Sequence, residues 1–235
     1  MNFDYREYIA NKFNIANKRI YKGEKAEIDN LFKIGFGYDW REGYNINGFA
    51  FILGNDDKII SSDHLVFYNS TLRLKVKNPG ADPDLVSPIE ILSPNQFNNV
   101  YIESRATDPE ISVIGSMEPR TGAIPFEMKP DNEIWDIDLS RLHPSARRVI
   151  FCASIYDSDI RCLNLSDANL FTRLYYPYQQ GLETEYLFIP NEDYSTCGAI
   201  EIFSIEKYSK GWEVVVLGKG YHDIRDIMNK YAEEF

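Results

Sequence analysis

The sequence predicts an all-β fold, a β-sandwich with peripheral N- and C-terminal helices. Three observations carry that prediction. Short runs rich in aromatic and β-branched residues recur along the chain, several of them alternating apolar and polar residues with the period of a strand. Clusters of Gly, Asn, Asp, Ser and Pro, which tolerate or impose turn geometry, separate those runs. Apolar residues three and four apart mark helices near the two termini.

Taken in order, residues 3 to 16 set Tyr5, Tyr8, Ile9 and Phe13 on one helical face with Asp4, Arg6 and Lys12 outside. Residues 1–19 are therefore expected to be a helical extension of a main domain over 20–235. A turn at Lys22-Gly23-Glu24-Lys25 leads to a strand, Leu31 to Tyr38. Phe32, Ile34, Phe36 and Tyr38 share one of its faces, while Gly35 and Gly37 on the other leave room for something packed close. Ile46 to Asn69 reads as a hairpin at the centre of the sandwich, with strands Phe49–Leu53 and Leu65–Tyr68 and a turn at Gly54-Asn55-Asp56-Asp57. Phe49 to Leu53 is apolar throughout, as a strand buried on both faces would be. Leu72 to Lys77 alternates like a half-exposed strand. Residues 78 to 99, rich in Pro, Asn, Asp and Ser, predict a long loop with at most short strands, and brief strands are expected at Val100 to Glu103 and Ile111 to Ile114. The three prolines of 118–133 predict another loop. Ile134 to Leu139 returns to alternation, and strands follow at Arg148 to Ile155, Asn169 to Tyr176, Glu185 to Ile189, Gly198 to Tyr208 and Trp212 to Leu217. The chain closes with Ile224, Ile227, Met228, Tyr231 and Phe235 in one helical stripe that the sandwich can bury.

The formal net charge of −11, from 25 basic and 36 acidic residues, repels phosphate backbones and anionic lipid and attracts cations. Nucleic acid is accordingly not an expected partner. No apolar run approaches the ~20 residues that span a bilayer, and MNFDYREYIA lacks the basic-then-apolar order of a secretory signal, so the cytoplasm is the expected compartment. Cys152, Cys162 and Cys197 suit neither a disulfide framework nor a zinc motif, and Cys152, inside Val149 to Ala153, reads as core. His64, His143 and His222 stand in no metal spacing, no nucleophile elbow or phosphate-cradling loop is present, and Gly35-Phe36-Gly37 lacks the third glycine of a dinucleotide fingerprint. Asp136 and Asp138, a conceivable acid–base pair, sit on one exposed strand face and read as solvated. The expectation is a protein that is not an enzyme.

Several segments, in a shared order, resemble one known family. Ile20 to Lys25, Gly35 to Asp39, Tyr44 to Leu53, Ser62-Asp63, Val66 to Asn69, Asp138-Leu139-Ser140, Val149 to Asp157, Ser166 to Arg173, Gly211-Trp212 and Gly218 to Tyr221 look like motifs of the TerD family of bacterial tellurium-resistance and chemical-stress proteins. The resemblance spans about residues 20 to 233. It implies a β-sandwich holding calcium ions at one end in acidic loops, and a place among the protein partners of a stress-response gene cluster. Carried onto this chain, the implied metal positions are Asp39, Asn45, Asn47, Glu118, Asp131, Asn132 and Glu133. The family has aspartates where this chain has Asn45 and Asn47. Its acidic, glycine-rich loop keeps its ends here and loses its middle, with Arg120 and Met128-Lys129-Pro130 adding positive charge. Residues 71 to about 103 have no family counterpart and form an atypical insertion.

Calcium takes roughly six to eight oxygens, and affinity follows the formal negative charge among them, so binding is expected to be reduced or lost relative to the family. The same polar groups also suit turn caps at a sandwich end. Asp157 and Asp159 form a short cation-binding run or a turn after a buried strand, with the turn preferred. Tyr175, Tyr176 and Tyr178 offer either partner contacts or packing. Two functions follow. The first is a non-enzymatic TerD-like stress-response protein that binds calcium weakly and protein partners. The second is a metal-free scaffolding module that assembles through the insertion and the N-terminal helix.

Overall fold

Alternation builds two facing sheets, and the turn clusters set their order. The computed structural model describes residue 11 and residues 19–38, 44–76, 88–92, 104–116, 131–179 and 183–232. Among these the strands are β1 (Lys25–Ile28), β2 (Leu31–Gly37), β3 (Ile46–Leu53), β4 (Leu65–Phe67), β5 (Arg73–Val76), β6 (Pro88–Leu92) and β7 (Ser104–Ala106). They continue with β8 (Val113–Ile114), β9 (Glu133–Asp138), β10 (Arg148–Ile155), β11 (Phe171–Tyr175), β12 (Tyr186–Phe188), β13 (Ala199–Tyr208) and β14 (Gly211–Tyr221). Two helices are described, α1 (Ser158–Arg161) and α2 (Ile224–Tyr231).

A six-stranded sheet in the order β1-β14-β13-β10-β3-β4 faces a five-stranded sheet in the order β12-β11-β2-β9-β8, with every pairing antiparallel. Between them one face of each strand forms the main core. Ile46, Ala50 and Ile52 of β3 and Val149, Phe151 and Ala153 of β10 meet Phe32, Ile34 and Phe36 of β2 and Trp135 and Ile137 of β9. Phe151 spans the gap, with ring centroids 6.2 Å from Phe36 and 5.2 Å from Trp135.

The opposite face of the larger sheet is apolar too. Phe49, Phe51 and Leu53 join Ile150 and Cys152 beneath Ile227 and Tyr231 of α2. Of the expected stripe Ile227 and Tyr231 are buried, Ile224 and Met228 are half-buried and Phe235 lies outside the described residues, and the start of α2 is fixed by a capping box between Asp223 and Asp226.

The hairpin forms with Phe49 opposite Phe67 and Phe51 opposite Leu65, but it is not central. β4 is the sheet edge and β10 and β13 occupy the middle, because β3 pairs along its whole length with β10. Arg73 also departs from the half-exposed expectation. It is buried, its Nε donating to Ser104 Oγ at 2.7 Å and its Nη1 to the Tyr68 carbonyl at 2.7 Å. Of the expected strand at Ile111 to Ile114 only Val113–Ile114 forms, since Ile111 takes a left-handed conformation. In the insertion, β5 lies between β6 and β7 in a separate three-stranded sheet. The N-terminal helix, the strand at 100–103 and most of the 118–133 loop lie outside the described residues. Among the described residues no helix is long and apolar enough to cross a membrane.

Candidate functional site

The described positions singled out for metal binding, Asn45, Asn47, Asp131, Asn132 and Glu133, lie at the starts of β3 and β9, and the pleat sends their side chains to different levels of the sandwich. Asp39 and Glu118 lie outside the described residues. Asp131 sits on the outer face of the five-stranded sheet, over Gly35, where an added β-carbon would meet its carboxyl carbon at 2.5 Å. It has no exposed surface. An ionised carboxylate so buried is costly unless paired, and Arg173, cross-strand from Gly35, supplies the pair. Its Nη2 donates to Asp131 Oδ2 at 2.6 Å and its Nε to Oδ1 at 2.9 Å, a two-pronged charge-assisted contact. Arg173 Nη1 donates to the Glu183 carbonyl at 2.9 Å, and its guanidinium lies 4.2 Å from the Tyr175 ring centroid.

Asn132 and Glu133 point elsewhere. Asn132 Oδ1 accepts from the Tyr38 backbone N–H at 2.9 Å. Glu133 turns inward between the sheets, its Oε2 accepting from Trp135 Nε1 at 3.1 Å and from the Gly48 N–H at 3.2 Å. Burial, and next the Glu133 carboxylate, push the Tyr38 phenol up to about 12. Asn45 stitches strand ends, its carbonyl accepting from the Tyr156 N–H at 2.8 Å. Asn47 lies on the outer face of the six-stranded sheet, two residues before Phe49 and opposite Ser154. Asn132 and Glu133 are therefore brought to neighbouring places at one end of β2 and β3, whereas Asn47 and Asp131 occupy opposite outer faces. Packed sheets lie ~10 Å apart and calcium–oxygen distances are ~2.3–2.6 Å, so those two side chains do not share an ion.

What Asn47 faces is a cavity of about 340 Å³, closed on one side by Tyr156 to Ile160 and on the other by the start of α2. Of its acidic members the sequence reads Asp157 and Asp159 as a turn after a buried strand, and Asp157, two residues past β10, does take a left-handed conformation that opens α1. Asp159 accepts from Arg225 Nη2 at 3.4 Å, and Asp223 from Arg225 Nε at 2.8 Å. The role of Arg225 and Asp223 was missed because the helical stripe explains only the buried side of α2.

Other polar groups are structural by their contacts. Asp136, expected in solvent, is held by Lys33 and by Arg105 Nη1, the latter at 2.5 Å. Ser61 Oγ lies 2.8 Å from His64 Nδ1, and His64 Nε2 lies 3.2 Å from Glu110 Oε2. That line of groups looks like a nucleophile, base and acid, but Ser61 is the residue leading into the 3-10 turn that carries His64, and His64 is buried beneath it. Among the described residues no group of three His, Cys, Asp or Glu side chains is placed to hold a metal ion.

Comparison with known proteins agrees with this architecture. A homologue of telluride resistance protein (TerD) from Streptomyces coelicolor A3(2) superposes with a TM-score of 0.52 at 15% identity, covering 87% of this chain and 99% of its own. A protein of unknown function, SAV2460, superposes with a TM-score of 0.50 at 12% identity, covering 87% of this chain and 98% of its own. At such identities the likeness is one of fold. The TerD domain also matches in sequence over residues 97–231, more than half of the chain, which takes in β7 to β14 and both described helices. The chain belongs to the TerD domain family.

Proposed function

We propose that this chain serves a tellurium-resistance-type stress response as a non-catalytic binding module whose core is held together without calcium. Its family membership supports the first part of that reading. The observation that supports the second is where the acidic side chains of the β9 entry are directed. Asp131 is closed by the Arg173 guanidinium, and Glu133 by the Trp135 and Gly48 N–H groups. A cation at either place would have to displace donors that already satisfy a buried carboxylate, which makes these side chains a poor fit to calcium.

The test is a calcium titration of the full chain followed by melting temperature and tryptophan fluorescence. A ligand bound only by the native state at one hundred times its dissociation constant adds about 2.7 kcal/mol, which for a chain of this size raises the melting point by roughly 5–10 °C. The expected result is a shift below ~1 °C at millimolar calcium. A rise of several degrees with saturable, stoichiometric binding overturns the reading and restores calcium as a working ligand.

A further inference from the structure

An aromatic surface faces water at the end of the sandwich where the chain passes from β1 into β2 and leaves β11. Tyr178 is 73% exposed and stacks on Tyr176 with ring centroids 5.5 Å apart and planes 20° from parallel, so one face of its ring is fixed and the other is open. β11 runs beside β2 with Tyr175 opposite Lys33, which brings Leu31, 51% exposed, level with the turn that carries Tyr178. The turn is held from within. The Tyr176 N–H donates to Gln179 Oε1 at 2.8 Å, the Gln179 N–H donates to the Tyr176 carbonyl at 2.9 Å, and Gln179 Nε2 donates to Glu185 Oε2 at 3.3 Å. Tyr178 is thus presented on an ordered turn, which lowers the entropy a partner must give up in contacting it.

The charges around these rings are of one sign. Burial pushes the Tyr176 phenol up to about 12, and the Asp29 and Glu185 carboxylates beside it add to the rise. The Tyr208 phenol is hydrogen-bonded to the Glu27 side chain. Glu27 and Asp29 are exposed and enter no ion pair among the described residues, while Lys25 and Lys33 on the same two strands are engaged by Glu213 and Asp136. A neighbouring tyrosine shows what such a ring accepts. The Arg173 guanidinium lies 4.2 Å from the Tyr175 ring centroid while it bonds the Asp131 carboxylate. Charge complementarity therefore selects a cation with a flat, weakly hydrated face, which a guanidinium has and an ammonium lacks.

We propose that this end of the sandwich docks an arginine-bearing segment of a protein partner, with the guanidinium lying on the open face of Tyr178. Asp29 and Glu27 draw the cation in, and Leu31 covers the aliphatic stem of the arginine. The inference names the partner class of the proposed binding module and rests on that reading.

The test titrates the full, 15N-labelled chain with the peptide acetyl-Gly-Arg-Gly-Arg-Gly-amide and, separately, with its citrulline counterpart, which keeps the planar end group and loses the charge. The Leu31 and Tyr178 backbone amides are followed by NMR. The arginine peptide is expected to bind saturably and move both amides, while the citrulline peptide does neither. Tyr178→Ala, at an exposed position, is expected to weaken binding about two- to fivefold without changing the melting point. Asp29→Asn is expected to weaken it by a similar factor. Asp193→Asn, at an exposed acid that precedes β13 where Tyr208 ends it, is expected to leave the affinity unchanged. Equal binding of the two peptides overturns the proposal, as does unaltered affinity in Tyr178→Ala. Weakening by Asp193→Asn as large as that by Asp29→Asn overturns it too, since net charge alone would then attract the peptide. Calcium is absent from these titrations, so saturable calcium binding in the separate experiment overturns the calcium-free reading and leaves the peptide result standing.

Discussion

Asp131 shows how much of a residue's role lies outside its own neighbourhood. Its carboxylate is buried and bound twice by Arg173, so removing the guanidinium leaves an unpaired charge in the interior. Arg173→Met is expected to cost about 3–5 kcal/mol in urea unfolding, whereas Asp131→Leu combined with Arg173→Met should recover much of that loss, since an apolar pair carries no uncompensated charge. A single variant within 1 kcal/mol of the parent in that measurement would mean that other groups neutralise Asp131. The sequence held half of this arrangement. Gly35, alternating with Phe32, Ile34 and Phe36, signals a close neighbour on the outer strand face, and the Asp131 carboxyl is that neighbour. Its identity was not legible, because no local pattern pairs a strand glycine with an acid that follows a long loop. For the same reason the resemblance that implies a metal position at Asp131 carries no sign of the Arg173 guanidinium that pairs with it.

At the scale of elements, period alone could tell that Phe49 to Leu53 is buried on both faces but not by what. One face packs on the opposite sheet and the other on α2. The link between α2 and the sheet is also polar. Glu201, 2% exposed on β13, accepts from Lys230 Nζ at 2.7 Å, and Lys230 sits in the last turn of α2, where a cation also suits the helix dipole. Burial first, and then the bond to Glu201, raise the Tyr231 phenol far above its ordinary range, and burial together with the Glu201 charge does the same for Tyr221. Lys230→Met removes the charged donor and leaves Glu201 to the two phenols. It is expected to cost roughly 2–3 kcal/mol by thermal or urea unfolding. Lys230→Arg should cost less, and a Lys230→Met variant as stable as the parent would show that the phenols alone satisfy the carboxylate. The sequence could place Lys230 on the polar side of the helix; its partner in β13 depends on sheet order, which period does not encode.

Across the whole molecule the fold class was more legible than the site. Strand periods survive into the structure because each sheet has one face committed to a common core, while the hairpin's place at the sheet edge came from the pairing of β3 with β10, a long-range choice. Site residues depend on which face a side chain takes at a sandwich end, and one step along the pleat moves Asn47 to the cavity and Gly48 against Trp135. Stability against pH integrates these placements. On the acid side, burial pushes the Asp136 carboxyl up, but the Arg105 and Lys33 charges outweigh it and hold it below its ordinary value, so its contribution is present above the unfolded pKa near ~4 and is lost as pH falls through the lower folded value. On the alkaline side the sign reverses. Burial pushes Tyr38 and Tyr176 up to about 12, so between the unfolded tyrosine value of ~10 and that point the unfolded chain sheds protons that the native state keeps. Their stabilisation is whole below pH ~10 and is lost as pH rises toward the folded value, by at most about 1.4 kcal/mol per pH unit for Tyr38 and by less for Tyr176, whose phenol solvent screens more. Urea midpoints measured from pH 7 to 11.5 are thus expected to hold and then drop steeply, more steeply than the growing net negative charge alone would produce. Tyr38→Phe separates the two causes, because it removes one titrating phenol and leaves the other charges in place. Its midpoint should fall less steeply above pH ~10 than the parent's, and parallel curves for the two proteins would show that Tyr38 ionises as freely in the fold as out of it.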